Sequence, residues 1–595
     1  MKTIQHDVDF CVVGGGLAGL CAAIAAARHG ARTVLVHDRP VLGGNASSEI
    51  RVPVMGAFGS WDRSVRETGI IEEIMLETLH GNPTGNWQWW DLTLHTLARR
   101  EKNLTLLLNC SCTDVEADAA TPTQSGRVRA LRAWQLTTQT WHHVSARLFA
   151  DCSGDSILSS FSGALMKEGR EARSEFAESI APEVANRTKM GMSLMFSWRE
   201  MSGGETRFIP PAWIHAYPTD DTAPHHPQKV NVAPVHGMNA FYLELGGMED
   251  TIHDTERLRD ELLQMGLGLV DHMKNHGEHG AGKLALDWFG FLPGKRESLR
   301  YVGDHILTQD DVQKAPPFAD IVAYGGWPLD DHDSTGSLRK GKGTHDWYPV
   351  KCPYGIPYRS LYSKNVDNVL MAGRNISATH LALCSTRVMA TCAVMGQAIG
   401  TAAALAIRHG CLPRELGEKH IGALQRALQD DDCWLPGRPR ILPELTAAAT
   451  LSASIGNAEA LRDGHDRPDE DNQQLHAWST ASGQWAEYRF PQRSQVTAAR
   501  FVFDSNLKRK WSNMPNWYPR DGWDIRPPAG LVKDFRLLAE TTPGEWAEIA
   551  VIRGNYQRLV KVPLPAATET TAVRLIVDSA WGDPDAISVF AWELS

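Results

Sequence analysis

The chain has no C-x-x-C pair. Its ten cysteines stand singly, and only Cys110 and Cys112 lie close together. A redox dithiol is therefore not expected, and a lone thiol inside a strand or helix acts as a small apolar residue. No apolar run approaches bilayer-spanning length; the longest candidate is the small-residue stretch after Gly16. Basic stripes are also missing, and the net charge of −10 is spread along the chain, which argues against a nucleic-acid surface. The polar opening MKTIQHDVDF runs straight into an apolar strand, so no signal peptide is expected. With unpaired cysteines, the expected compartment is the cytoplasm. The G-x-G-x-x-G pattern occurs only once, so a second dinucleotide-binding unit is not expected.

What is present begins at Phe10. Residues Phe10–Val13 form a short apolar run, as in a buried parallel strand, and break at once into glycine. Gly14, Gly16 and Gly19 follow with G-x-G-x-x-G spacing, then an alanine-rich helix from Leu17 to His29, closed by Gly30, then a second strand from Arg32 to Val36. In this β-α-β order Gly14 permits the tight turn, Gly16 admits a pyrophosphate to the backbone, and Gly19 lets helix and strand pack closely. The free N–H groups of the helix N-terminus then face the phosphates. The acidic residue for ribose hydroxyls is expected at Asp38; the alternative is that Asp38 is a solvated loop carboxylate and that backbone or His37 holds the ribose.

After the second strand, Arg39-Pro-Val-Leu-Gly43-Gly44-Asn45-Ala46-Ser47 adds a glycine pair that a nicotinamide-binding domain does not need. Here the sequence resembles the glutathione-reductase-type FAD proteins. More narrowly, Asp38 to Val52 resembles the FAD-dependent oxidoreductase family related to fumarate reductase flavoproteins. The resemblance implies FAD as cofactor. Two further segments carry it: Phe149-Ala-Asp-Cys-Ser-Gly154-Asp155, a strand followed by D-x-x-G-D, and Asn368-Val-Leu-Met-Ala-Gly373-Arg374, a buried strand ending in Gly-Arg. It implies contacts to FAD from Gly14, Gly16, Leu17, Ala18, Gly19, His37, Asp38, Arg39, Gly43, Gly44, Asn45, Ala46, Ser47, Cys112, Gly154, Asp155, Gly373, Arg374 and Thr386. Gly154 is expected to remove a clash with the cofactor, and Arg374 to hold the ribityl chain and pyrophosphate. A helix over Val388–His409, capped by Ser385 or Thr386, is expected to point its N-terminus at the flavin pyrimidine edge.

At 595 residues several domains are expected. The fold class is α/β: a Rossmann-like FAD-binding domain (1–167 and 365–412), an inserted α+β substrate or cap domain (168–364), a helical segment with a proline-rich linker (413–449), and a C-terminal all-β sandwich, or jelly roll (450–595). The last rests on period-2 strands such as Trp485–Phe490, Ala498–Phe503 and Ala572–Val577, and on the Gly483–Phe490 stretch, which resembles a discoidin-type module. Trp511, Trp517, Tyr518 and Trp523 crowd one loop of it, either to stack on sugars or to pack on the FAD domain. Trp87, Trp89 and Trp90 open a helix that ends near Arg100 and either line a cavity or pack. Gly169–Glu178 reads as a solvated, mixed-charge helix face.

The chemistry these features imply is hydride transfer between a substrate carbon and flavin N5, with electrons leaving to dioxygen or an unidentified acceptor. His380 is the candidate acid/base, against a purely structural role; Arg387 and Arg51 are candidates for fixing an oxygen-rich substrate. A sugar or glycoside oxidised at a secondary alcohol is the expected substrate class. The alternatives are a fumarate-reductase-like reaction at a C–C double bond and a glycan-binding flavoprotein. His272, His276 and His279 share helical spacing but lack a cysteine partner; they read as surface histidines, and no metal is expected.

Overall fold

The computed structural model of the chain describes residues 2–57, 63–82, 85–121, 123–226, 228, 240–340, 343–509 and 527–595. It divides into two units. One comprises the described residues within Met1–Gly59 and Gly85–Leu424, the other those within Ser60–Thr84, Gln425–Asn513 and Asp524–Ser595.

The first unit is built on a sheet ordered β3-β2-β1-β6-β5-β4, from β1 (Lys2–Val13), β2 (Thr33–Val36), β3 (Leu104–Leu107), β4 (Cys110–Asp118), β5 (Arg127–Gln135) and β6 (Thr140–Asp151). Strands β1, β2 and β3 run parallel, and β1 also pairs in parallel with β6. The first part of β6 pairs antiparallel with β5, and its last three residues pair in parallel with Val369–Met371. The expected β-α-β unit is present, although β1 starts at Lys2 rather than Phe10, because its polar first half finds a partner in β6. Helix α1 (Leu17–Arg28) lies on this sheet, with Leu17 through Ala27 buried.

Against α1 packs the helix Met389–His409. A Cβ on Gly396 would lie 2.0 Å from the Ala18 carbonyl oxygen, and one on Gly400 2.1 Å from that of Ala22. The two helices therefore touch backbone to backbone along a face of glycine and alanine. Contrary to the expectation of no bilayer-length apolar run, this 21-residue helix is long and apolar enough to span one; 94% of its apolar window is buried in the protein, which makes it a core helix here.

The middle region is an antiparallel sheet around Met192–Glu200, with Ala240–Leu245, Leu284–Phe289 and Gly294–Lys295 pairing to it. The helix Thr255–Asp271 covers it through Leu258, Leu262, Leu269 and Val270.

The second unit is all-β apart from short helices. Its seven strands, expected as a sandwich, are linked by one continuous hydrogen-bonded ladder. The reason is strand length: Trp485–Phe490 and Ala498–Phe503 belong to one strand, Trp485–Phe503, which pairs with the equally long Leu559–Ala580 across two register breaks. Trp478, Tyr488, Phe501, Phe535, Val573 and Trp592 pack together in its core. Leu76 and Leu79 of the helix Ile70–Gly81 join the same core, so this helix belongs with the C-terminal unit and not with an unbroken 1–167 domain. The proline-rich stretch before residue 443 is not a solvated linker, since buried Arg440 pairs there with Glu593 and Asp466. Trp511, Trp517, Tyr518 and Trp523 lie outside the described residues.

Overpacking the helix contact has a definite cost. Gly400→Val should destabilise the first unit by at least about 1–3 kcal/mol, because the new side chain meets backbone that has no rotamer to change. Thermal unfolding followed by flavin release checks this; an unchanged midpoint would contradict the contact.

Candidate cofactor and catalytic site

The turn after β1 is held by missing side chains. Gly14 has φ +102°, and a Cβ on Gly19 would sit 1.8 Å from the Gly14 carbonyl oxygen, so α1 starts directly against the strand end. Leu17 and Ala18 are buried in the first turn of α1, and no side chain caps it. The Gly43 N–H donates to the Gly15 carbonyl at 2.9 Å, and a Cβ on Gly44 would lie 3.0 Å from Gly16 Cα. The second glycine pair thus rests on the first turn. Gly44, Asn45 and Ala46 form a 3-10 turn that ends at Ser47, and Asn45 donates to the Lys295 carbonyl at 2.9 Å. A Cβ on Gly16 would find nothing nearer than 3.9 Å, so this backbone is open to a ligand. Four buried polar atoms in the segments expected to touch the cofactor lack a hydrogen-bond partner: Arg39 Nη1, Ser47 Oγ, Asn375 Oδ1 and Thr386 Oγ1. An open glycine cradle with orphaned donors and acceptors fits a dinucleotide that carries phosphates and a polar ring system.

His37 is not a ribose ligand. The Gly15 N–H donates to its Nδ1 at 3.0 Å, and its Nε2 donates to the Val41 carbonyl at 3.0 Å, which uses both nitrogens inside the turn. Burial, followed by the nearby Arg39, pushes its pKa down to about 4, and it is neutral. Asp38, with a side chain 65% exposed, is the carboxylate left at the end of β2. Cys112 lies buried on β4; burial raises its thiol to about 12, and its S–H donates to the Asp114 carbonyl.

The Gly154 and Gly373-Arg374 turns meet each other. Arg374 donates to the Gly154 carbonyl (2.9 Å), the Lys295 carbonyl (2.6 Å) and Asp155 (2.7 Å), and Lys295 pairs with Asp155 at 2.8 Å. Burial opposes ionisation of Asp155, but Arg374 and Lys295 outweigh it and hold the carboxyl below its usual range. This corrects two expectations. The Cβ that Gly154 lacks would meet the Arg374 guanidinium at 2.7 Å, so the glycine makes room for a side chain of the protein itself. Arg374 ties three segments together with all three of its nitrogens. Lys295, which the sequence pattern did not single out, stands at the centre of the knot.

His380 is also corrected. It opens the short helix His380–Thr386, is 1% exposed, and contacts Glu297 through Nδ1 (2.9 Å) and Asp331 through Nε2 (3.1 Å). Burial disfavours its charge, but Glu297 and Asp331 outweigh it and raise its pKa well above the ordinary value. Both nitrogens of this imidazolium are donors, and neither is left to accept a substrate proton. Gly169–Glu178 is a solvated face only in its middle, where Arg173, Ser174 and Glu175 are exposed, while its ends are bonded inside the protein. Arg300 binds the Gly169 carbonyl and Glu171, Arg170 binds Asp331, and Glu178 accepts from Thr379 Oγ1 at 2.6 Å. Ser385 does not cap the long helix: it bonds Tyr354 at 2.6 Å and the Trp327 carbonyl. The residue preceding Met389–His409 is Val388, which offers no side-chain cap, because a separate helix ends at Thr386.

Arg387 lies between the two helices and donates to Asp330 at 2.9 Å. Asp330 also meets His332 at 3.1 Å, and His332 pairs in register with His345 across the hairpin of Leu329–His332 and His345–Tyr348. The rings of His332 and His345 are 5.1 Å apart, and Trp347 and Trp327 continue the aromatic wall. Burial lowers the pKa of half-buried His345, so it is neutral at pH 7. His345 escaped sequence analysis; its only local signal was an alternating His-Asp-Trp-Tyr strand. Arg51 has φ +64° and stacks its guanidinium 4.2 Å from the Trp288 ring. Trp90 is fully buried and Trp89 is 45% exposed. His272 and His279 are buried, contrary to expectation, while His276 points outward beside Asp271.

A model of the FAD dependent oxidoreductase family matches residues 9–428. The chain belongs to that family. It is an enzyme with FAD as its cofactor, and the glycine cradle with its orphaned polar atoms accords with this. No curated protein matches this FAD-dependent oxidoreductase. Among solved structures it is similar to a geranylgeranyl bacteriochlorophyll reductase-like protein from Thermoplasma acidophilum (13% identity, 72% of this chain, 86% of that one, TM-score 0.32). It is also similar to the family 32 carbohydrate-binding module of Streptococcus pneumoniae EndoD (20% identity, 25% and 97%, TM-score 0.20).

The state of His37 sets a pH dependence. Its folded pKa, about 4, lies below the ordinary 6.5, so protonation favours the unfolded chain. Its contribution is intact above pH 6.5 and is lost as pH falls from 6.5 towards 4. The loss amounts to about 3 kcal/mol at about 1.4 kcal/mol per unit. His37→Gln should flatten the acid limb of the stability–pH curve; an equally steep limb in the variant would contradict the neutral, doubly bonded ring.

Proposed function

We propose that this oxidoreductase oxidises a secondary alcohol of a sugar, glycoside or related polyol in the cytoplasm. The Gly14–Gly19 turn and the Gly43–Ser47 loop would hold the cofactor, and the middle region would contribute the substrate wall. One observation supports a neutral, hydroxylated substrate over a dicarboxylate: four arginines around the candidate site are already charge-compensated. Arg170 holds Asp331, Arg296 holds Glu244, Arg300 holds Glu171 and Glu297, and Arg387 holds Asp330. An enoate clamp as in a fumarate-reductase-like enzyme needs cations to spare. A polyol needs acceptors for its hydroxyls and a wall for its ring; Asp330 and His345 supply the first, Trp327 and Trp347 the second.

FAD supplies a hydride acceptor at N5. The chain supplies the proton acceptor. His345 takes that role in place of His380, because it is neutral and half-buried. Its Nδ1 faces Thr344 Oγ1 at 3.3 Å, which leaves Nε2 for the substrate hydroxyl. His345 Nε2 would take the hydroxyl proton as the carbinol is oxidised to a ketone. Asp330 and Arg387 steady the neighbouring His332.

Anaerobic mixing with sugars, uronic acids and glycosides should bleach the flavin absorbance, whereas enoates should fail to reoxidise the reduced enzyme. Rapid reoxidation by fumarate without any reduction by polyols would overturn the reading. His345→Ala should slow flavin reduction by about 100-fold or more while FAD stays bound, as expected for loss of a general base. Undiminished reduction would remove His345 from the chemistry.

A further inference from the structure

Outside the cofactor region, four side chains converge at the end of the helix Thr255–Asp271. His272 opens the π-turn His272–His276 that continues this helix, and His279 lies just beyond it. Asp220 and His226 come from a segment some 50 residues earlier. One ligand atom from each of Asp220, His226, His272 and His279 lies within 4.8 Å of all the others.

The outer nitrogens settle which atoms face inward. Nδ1 of His226 lies 2.7 Å from the Pro224 carbonyl, Nδ1 of His272 2.7 Å from the Tyr217 carbonyl, and Nδ1 of His279 3.0 Å from the Gln228 carbonyl. A carbonyl only accepts, so each Nδ1 carries the ring hydrogen, and each neutral ring turns a bare Nε2 lone pair inward. These lone pairs crowd together. Nε2 of His272 is 3.1 Å from Nε2 of His279 and 3.1 Å from Asp220 Oδ1, and Nε2 of His279 is 3.4 Å from the same oxygen. Nε2 of His226 is buried and has no hydrogen-bond partner. Ligands held at about 2.0–2.1 Å by a tetrahedral ion stand about 3.3 Å apart, and the three separations bracket that value.

We propose that Asp220, His226, His272 and His279 form a structural site for a divalent first-row transition ion, zinc by preference. Three imidazoles and one carboxylate are a borderline-soft, closed set of four, which suits zinc and leaves no open position for a substrate. The three backbone carbonyls fix the tautomers and orient the rings, as partners of ligating histidines do. Two other clusters in the first unit lack this character. In Asp330–His332–His345 the carboxylate is neutralised by Arg387, and in Asp331–His380–Cys384 by Arg170. The ion would pin the Tyr217–His226 segment to the end of the helix in the middle region. Helical spacing alone pointed to the wrong set, because His276 faces outward and the missing ligands lie far away in the chain.

The test uses the full-length holoenzyme, purified without a metal-affinity tag. Elemental analysis should find one zinc per chain, and treatment with a chelator should lower the thermal midpoint, with recovery on adding Zn²⁺. Co²⁺ added to the chelated protein should give the visible d–d bands of a tetrahedral site, at wavelengths beyond the flavin bands. His226→Asn and Asp220→Asn should each abolish these bands while FAD remains at its original stoichiometry. If a variant loses FAD and does not fold, the Co²⁺ titration of the wild-type chain decides. Absence of both zinc and cobalt bands in wild type, or undiminished metal in the folded variants, would overturn the proposal.

Discussion

The constraint on which the first unit depends is contact between main chains with no side chain between them. Gly19 brings α1 against the end of β1, Gly44 sets the second loop on the first turn, and Gly396 and Gly400 set the long helix on Ala18 and Ala22. Each contact is too close for a methyl group, so none can loosen without the others shifting. The cradle that results is walled by backbone, whose N–H groups cannot rotate away. It holds its shape before any ligand arrives.

Charge does a second kind of positioning. Buried ions in this region occur as closed sets: Asp155 with Arg374 and Lys295, His380 with Glu297 and Asp331, Arg300 with Glu171 and Glu297. Breaking such a set leaves an uncompensated charge in a low dielectric, which is costly, so these groups fix segments in place. A group meant to exchange a proton needs the opposite situation, with one nitrogen free and a pKa near the working pH. That contrast separates His380, charged and enclosed, from His345, neutral and half-buried.

Legibility followed the range of the interactions. The strand, glycine turn, helix and second strand from Phe10 to Val36 were readable because the two strands pair with each other 23 residues apart and glycine leaves a distinctive signature. The strands ending at Asp151 and Met371 were readable as buried apolar runs, although they pair with each other across 220 residues. The ends of the Gly169–Glu178 stretch misled because alternating charge looks alike whether it meets water or Arg300, Asp331 and Thr379. The separate strands of the second unit merged because strand length across a register break depends on the partner strand.

The sequence by itself determined the cofactor class and the order of the segments that carry it, because glycine spacing and apolar runs are local properties of the chain. Only the tertiary structure decided which polar groups are spent and which are free. It committed Arg374, His37 and His380 to internal partners, left His345 unspent, and gathered Asp220, His226, His272 and His279 around one point. The physical reason is that a side chain's charge and hydrogen-bonding state are set by neighbours in space, and several of those neighbours lie 52 to 219 residues away in the chain.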